Sequence, residues 1–226
     1  MINSGEHCTA ASATIVMTLT PLHAAFVWFL KPRYSSLSFA ALTLGSFVPD
    51  LEPLASFIFG WSVFCGWDFP CSLAPDRLIL HSIVGALTID VLLTMVIVWV
   101  LGRFLVMEKF GVHGFTRAPV ASRGFYASAA IGGMSHVLVD WLHHPANPVF
   151  WPLPIDGSYY VDGLLLPYMS VFQASLLVAV ISAALIVASM AAALHKAGRP
   201  FWLVFYNPIA ALGIVTKYLS QGEKRN

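Results

Sequence analysis

The sequence predicts an all-α protein: a polytopic membrane helix bundle of about five membrane helices, followed by a broken or interfacial C-terminal helix. Three observations carry this. Apolar residues fill 58% of the 226 positions and charged residues only 10%, whereas ordinary soluble domains carry roughly a quarter charged residues. Mean hydropathy is +0.77. Several runs with little or no charge reach the roughly 20 residues that a helix needs to cross the hydrocarbon of a bilayer. A net charge of +1 lacks the basic footprint of a nucleic-acid binder. Cys8, Cys65 and Cys71 make neither a disulfide framework nor a zinc ribbon.

The elements follow in chain order. Residues 10–30 are apolar, with Thr20-Pro21 reading as an N-cap followed by proline in the first turn. Residues 36–48 form a shorter apolar helix that Pro49-Asp50 ends, and the two segments suit a short hairpin buried among longer helices. Residues 78–107 read as one long span around VLLTMVIVWVLG, and 125–142 as a span interrupted by His136 and Asp140. Residues 168–193 contain no charge and form the clearest span. Residues 201–219 are long enough to cross, but Asn207-Pro208 breaks them. The chain therefore divides into an integral membrane domain, 1–200, and a broken interfacial segment with a basic tail, 201–226.

Lysine and arginine set the direction. Lys31 and Arg33, then Arg103, Lys109, Arg117 and Arg123, then Lys196, Arg199, Lys217, Lys224 and Arg225 all fall on one side if the spans alternate. Arg77 is the exception. The expectation is a multi-pass protein of the cell membrane, N-terminus outside and C-terminus cytoplasmic. Residues 49–77 and 143–167 then face outward, bearing Trp61, Trp67, Trp151, Tyr159 and Tyr160 as an interfacial belt. Cys65 and Cys71 share the first outward loop, either as a disulfide or as two free thiols.

Titratable groups at membrane depth are costly and usually face the bundle interior. His23, Asp50, His81, His136 and Asp140 stand out. His136 and Asp140 are spaced i, i+4 and so share a helix face; His144 extends that face by a turn and His143 lies beside it. Imidazole and carboxylate suit zinc, iron, manganese or nickel. At about 1.5 Å per residue, Asp50 lies roughly 25 Å beyond Arg33, Asp140 roughly 25 Å beyond Arg123, and His81 roughly 33 Å beyond Arg103. Three helices thus bring ligand-type groups to the outer half of the membrane. His23, roughly 12 Å from Lys31, fits that depth only if its helix is short or tilted. The plainer readings are a hydrogen bond to a neighbouring helix for His23, a structural pair for His136 with Asp140, and a helix–helix polar contact for Asp90.

Four segments together resemble the inner-membrane metal-dependent hydrolases of the YdjM-like group: Leu22-His23, Pro49-Asp50-Leu51-Glu52, Asp76-Arg77-Leu78-Ile79-Leu80-His81-Ser82, and Ser135-His136 through Asp140 to Phe150-Trp151-Pro152. The resemblance covers roughly residues 20–152. It implies that His23, Asp50, His81, His136 and Asp140 are metal ligands or lie beside them, with Glu52 and Asp76 as additions. Asp76 stands where that group has a histidine, Leu78 and Leu80 replace its Gly and Thr, Glu52 replaces its second Asp, and His143 and Ala146 replace a later Thr and Gly.

Two functions compete. One is a hydrolase using one or two divalent transition-metal ions, zinc first among them, on a lipid or amphipathic phosphoester or ester at the outer leaflet. Asp76, Glu52 or Asp140 would be its general base. Arg77 would recognise phosphate or carboxylate, or else serve as a snorkelling anchor. The other is a non-catalytic accessory or assembly subunit packed against further membrane proteins, for which the small residues of SAALIVASMAAA suit close helix contact. A metal transporter ranks third, because no second ionisable site lies near the cytoplasm. The partners expected are membrane lipid and other membrane subunits, and no nucleic acid.

Overall fold

The structure is a computed structural model and describes residues 23–31, 34, 36–59, 77–104 and 122–221. Within them the fold is all-α. The helices are α1 (Ala25–Trp28), α2 (Phe39–Gly45), α3 (Leu51–Phe59), α4 (Ile83–Leu87), α5 (Ile89–Phe104), α6 (Arg123–His143), α7 (Val171–Lys196), α8 (Leu203–Tyr206) and α9 (Pro208–Gln221), with a 3₁₀ turn at Val48–Asp50.

Serines start four of them. Ser38, Ser82, Ser122 and Ser170 each accept a backbone N–H of the first turn through their side chains, and Gln173 completes a capping box with Ser170. Ser38 also donates its own N–H to Ser128 Oγ at 2.7 Å, which fixes the start of α2 on α6.

α6 is the centre of the fold. It packs against α2 above all, and also against α4, α5 and α7. The α2–α6 contact depends on glycine. A Cβ on Gly132 would lie 2.5 Å from the Leu42 carbonyl oxygen, and one on Gly45 would lie 2.5 Å from that of Ala129. Backbones this close leave no room for a side chain on either face. Phe39, Ala40, Ala41, Phe125 and Ala129 form the core around this crossing, together with Val91 and Val98 of α5.

The described segments depart from the sequence reading in three places. Pro49-Asp50 does not end the helical run: proline is tolerated in a first turn, and the chain passes through the 3₁₀ turn into α3. Residues 78–107 are not one span. Residues 78–82 are non-helical, Thr88 breaks the ladder at φ −126° and ψ −80°, and α4 and α5 are separate helices. His23 belongs to a short helical segment, not to a long upright one.

The break at Asn207-Pro208 is as expected. Asn207 Oδ1 accepts the Ala210 N–H at 3.0 Å, so the same residue closes α8 and caps α9. One helix, α7, is long and apolar enough to cross a membrane by length and composition; residues 89–101 and 208–219 are shorter apolar helices. The Cys65–Cys71 loop, Trp61, Trp67 and Asp76 lie outside the described residues.

After α6 the chain folds back over its end. The Leu164 and Leu165 N–H groups donate to the Trp141 and Leu142 carbonyls at 2.8 and 3.0 Å, taking up acceptors that a helix end leaves free. Asn147 pairs with Val161 in an isolated bridge, and its side chain donates to the His144 carbonyl. This cover holds the last turn of α6, where the titratable residues gather.

Candidate metal centre

All five residues expected to bind metal come together: His23, Asp50 from the 3₁₀ turn, His81 from the loop before α4, and His136 and Asp140 from α6. Two more imidazoles, His143 and His144, join them at the end of α6. The cluster lies deep. The side chains of His81, His136 and Asp140 are 1%, 0% and 2% exposed, and His143 is wholly buried. Asp50 at 17%, Arg77 at 16% and Glu52 at 20% form the one partly open side seen among the described residues.

Asp140 occupies the middle. Its Oδ2 lies 3.4 Å from His136 Nε2, 3.6 Å from His81 Nε2 and 3.5 Å from Arg77 Nη2. Its Oδ1 lies 3.7 Å from His23 Nδ1 and 3.7 Å from His144 Nε2. Asp50 completes the first side, with Oδ1 3.8 Å from His81 Nε2 and Oδ2 3.6 Å from His136 Nδ1.

Three histidines are oriented through Nδ1. His136 Nδ1 faces the Ser46 carbonyl at 2.8 Å, His143 Nδ1 the Val139 carbonyl at 2.8 Å, and His81 Nδ1 the Glu52 carboxylate at 3.1 Å. A carbonyl and an ionised carboxylate only accept, so each Nδ1 carries the proton and each Nε2 keeps its lone pair. Those three Nε2 atoms are buried and have no hydrogen-bond partner; nor do either Asp140 oxygen, Asp50 Oδ2 or His23 Nε2. Buried polar atoms are normally satisfied, and a histidine tied down at one nitrogen with a free lone pair at the other is the usual arrangement around a metal. His23 stands edge-on to His136, with ring centroids 4.6 Å apart and Nδ1 atoms 3.1 Å apart.

The donor set fits a divalent transition metal. One donor atom from each member lies within 4.8 Å of the others in three groups: His23, His136 and Asp140; Asp50, His81 and His136; Asp140, His143 and His144. Nitrogen and carboxylate oxygen are the ligands of zinc and its neighbours.

The residues expected to catalyse are placed differently. Glu52 accepts the N–H groups of Leu78, Ile79 and Leu80 at 2.8, 2.9 and 3.1 Å as well as that of His81 Nδ1. Burial raises its pKa, but the His81 and backbone hydrogen bonds outweigh burial and hold the carboxyl below its ordinary value. Glu52 is committed to shaping the loop and orienting His81. This also explains why 78–82 is not helical: its N–H groups converge on a carboxylate. Arg77 Nη2 lies 3.1 Å from His144 Nε2. Burial is the main cause that pushes the His144 imidazole far below its ordinary pKa, so His144 is neutral and accepts from Arg77.

His143 and His144 were visible only as neighbours of Asp140 in sequence. What brings both into the cluster is the end of α6: His143 is its last residue, and His144 turns to extended backbone at φ −95° and ψ 142°.

Fold and cluster together define an all-α protein with a membrane-crossing candidate helix and a buried His/Asp site that could hold a metal ion. The family model described as "Domain of unknown function (DUF4184)" matches residues 17–222, and the chain belongs to that family. No curated protein and no solved structure matches it.

Proposed function

We propose that this protein is a multi-pass membrane enzyme that uses a divalent metal to hydrolyse a phosphoester of a lipid or amphipathic molecule at the outer leaflet. The observation that carries the reading is the convergence of His81 Nε2, His136 Nε2 and Asp50 around Asp140, with the Arg77 guanidinium at the partly open rim. The motif likeness to YdjM-like proteins supports it. The membrane placement is supported by the exposed apolar faces: Leu92, Val96 and Trp99 of α5 and Phe172 and Val180 of α7 are each more than half exposed, a surface that lipid would cover.

When bound, a divalent ion supplies an acidified water and a Lewis acid for a phosphoryl oxygen. The chain's own residues do the rest. Glu52, Ser46 and Val139 fix which imidazole nitrogen faces the centre. Asp50 stands at the rim within reach of solvent. Arg77 offers a planar guanidinium to an anionic group arriving from outside. The cover of residues 144–166 excludes water from the far side.

The test is reconstituted protein with a panel of lipid phosphoesters and chromogenic esters, comparing metal-loaded, chelated and His81→Ala forms. Turnover that disappears with chelator and returns with one added metal is expected. No turnover above the His81→Ala background, together with stoichiometric co-purification of other membrane subunits, would favour an accessory subunit instead.

A further inference from the structure

We infer that the centre holds a second metal ion on its His143–His144 side, with Asp140 as the bridging carboxylate. This rests on the metal-centre reading above and extends it. The two oxygens of Asp140 face different imidazoles: Oδ2 faces His136 and His81 at 3.4 and 3.6 Å, and Oδ1 faces His144 and His23, both at 3.7 Å. Donor atoms bound to one tetrahedral ion at about 2.0–2.1 Å lie about 3.3–3.4 Å apart. Both sides therefore have nearly the spacing of a coordination edge.

The second side also has an independent donor aimed into it. His143 is fully buried, its Nδ1 is held by the Val139 carbonyl, and its Nε2 has no hydrogen-bond partner. Its ring lies 4.0 Å from that of His144 and 5.9 Å from that of His23, centroid to centroid. A structural pairing of His136 with Asp140 would leave this nitrogen unexplained. A tetrahedral ion takes four ligands, and the seven side chains gathered here exceed that; a carboxylate-bridged pair of ions about 3.5–4 Å apart uses them.

Charge argues the same way and names the substrate class. Asp50, Glu52 and Asp140 outweigh Arg77, so the cluster is anionic and repels a phosphate. Two divalent ions reverse that sign and make the centre complementary to a phosphate monoester dianion. Arg77 and the second ion also compete for one lone pair, because Arg77 Nη2 sits 3.1 Å from His144 Nε2. Binding of that ion releases the guanidinium for the phosphoryl oxygens of the substrate.

The experiment is elemental analysis of full-length protein purified without a metal-affinity tag and equilibrated with zinc alone. About two equivalents are expected in the wild type and about one in His143→Ala and His144→Ala, the retained equivalent showing that the variants fold. Arg77→Ala should keep the second equivalent at roughly tenfold lower free zinc. Manganese-loaded wild type should show a spin-coupled resonance, a readout that needs no variant. A single equivalent in the wild type, an uncoupled manganese spectrum, or two equivalents indifferent to both histidine variants would overturn the second site and leave the first standing. No bound metal at saturating zinc would overturn the metal centre itself.

Discussion

Glu52 and His81 meet at 3.1 Å, Oε2 to Nδ1, while the same carboxylate gathers three consecutive backbone N–H groups from Leu78 to Leu80. One side chain thereby joins a loop conformation to a histidine tautomer. The loop cannot turn helical without abandoning the carboxylate, and the imidazole cannot present Nδ1 to the centre while Glu52 holds it. The site and the local fold are one construction at this point.

Replacing Glu52 by Gln tests this directly. The amide keeps one acceptor oxygen but turns an NH₂ toward backbone donors, so at least one N–H loses its partner at a cost of about 1–3 kcal/mol. Zinc affinity, measured by competition with a chelator, should fall about 10–100-fold as His81 loses its orienting partner. The melting temperature in detergent should fall as well. Unchanged affinity with lowered stability would confine Glu52 to the loop.

A second prediction concerns the approach of α2 to α6. Gly132→Ala places a methyl 2.5 Å from the Leu42 carbonyl oxygen and 2.9 Å from the Ser46 nitrogen, both backbone atoms that cannot turn aside. Overpacking of this kind costs about 1–3 kcal/mol. Because Ser46 also orients His136, metal affinity should fall with stability. Gly133→Ala is the control: its Cβ would meet the Asp90 carboxylate at 3.2 Å and Ala86 at 3.3 Å, a milder contact. Equal losses in the two variants would disconnect the α2–α6 crossing from the centre.

Much of this centre was legible in the sequence, for physical reasons. The i, i+4 spacing of His136 and Asp140 needs only a helix, and α6 supplies it. An apolar run broken at Asn207-Pro208 needs only the chemistry of those two residues. What was not legible depends on partners remote in sequence. The non-helical 78–82 answers to Glu52, 26 residues before Leu78. The convergence of His143 and His144 depends on where α6 stops. His23 looked too shallow because Lys31 served as the marker of the membrane edge, yet Lys31 is 2% exposed and cannot mark a surface.

A third prediction tests the direction of the chain. With Cys8, Cys65 and Cys71 replaced by Ser, a single cysteine at Ser158→Cys, in the exposed cover after α6, should react with an impermeant maleimide in intact cells. One at His113→Cys should react only after permeabilisation. The reverse pattern would put the centre at the cytoplasmic face and exclude an outer-leaflet substrate.

The last prediction separates phosphoesters from other esters through Arg77. Its side chain is 16% exposed, and its Nη2 spans the gap between Asp140 Oδ2 at 3.5 Å and His144 Nε2 at 3.1 Å. It is the one permanent cation in the ion pairs of the described cluster. An anionic substrate gains charge-assisted hydrogen bonds from it, worth about 1.5–3 kcal/mol, and a neutral carboxylic ester does not. Arg77→Ala should therefore reduce the preference in kcat/KM for a phosphate monoester over a carboxylic ester by about 10–100-fold. The loss should fall mainly on KM, because the guanidinium binds ground state and transition state alike. Arg77→Lys keeps the charge and loses the planar fork, so it should fall between the two. Raising the salt concentration should weaken the wild-type preference only slightly, since a partly buried cation is poorly screened. Equal losses on both substrate classes would show that Arg77 serves to hold Asp140, and the phosphoester assignment would then fail.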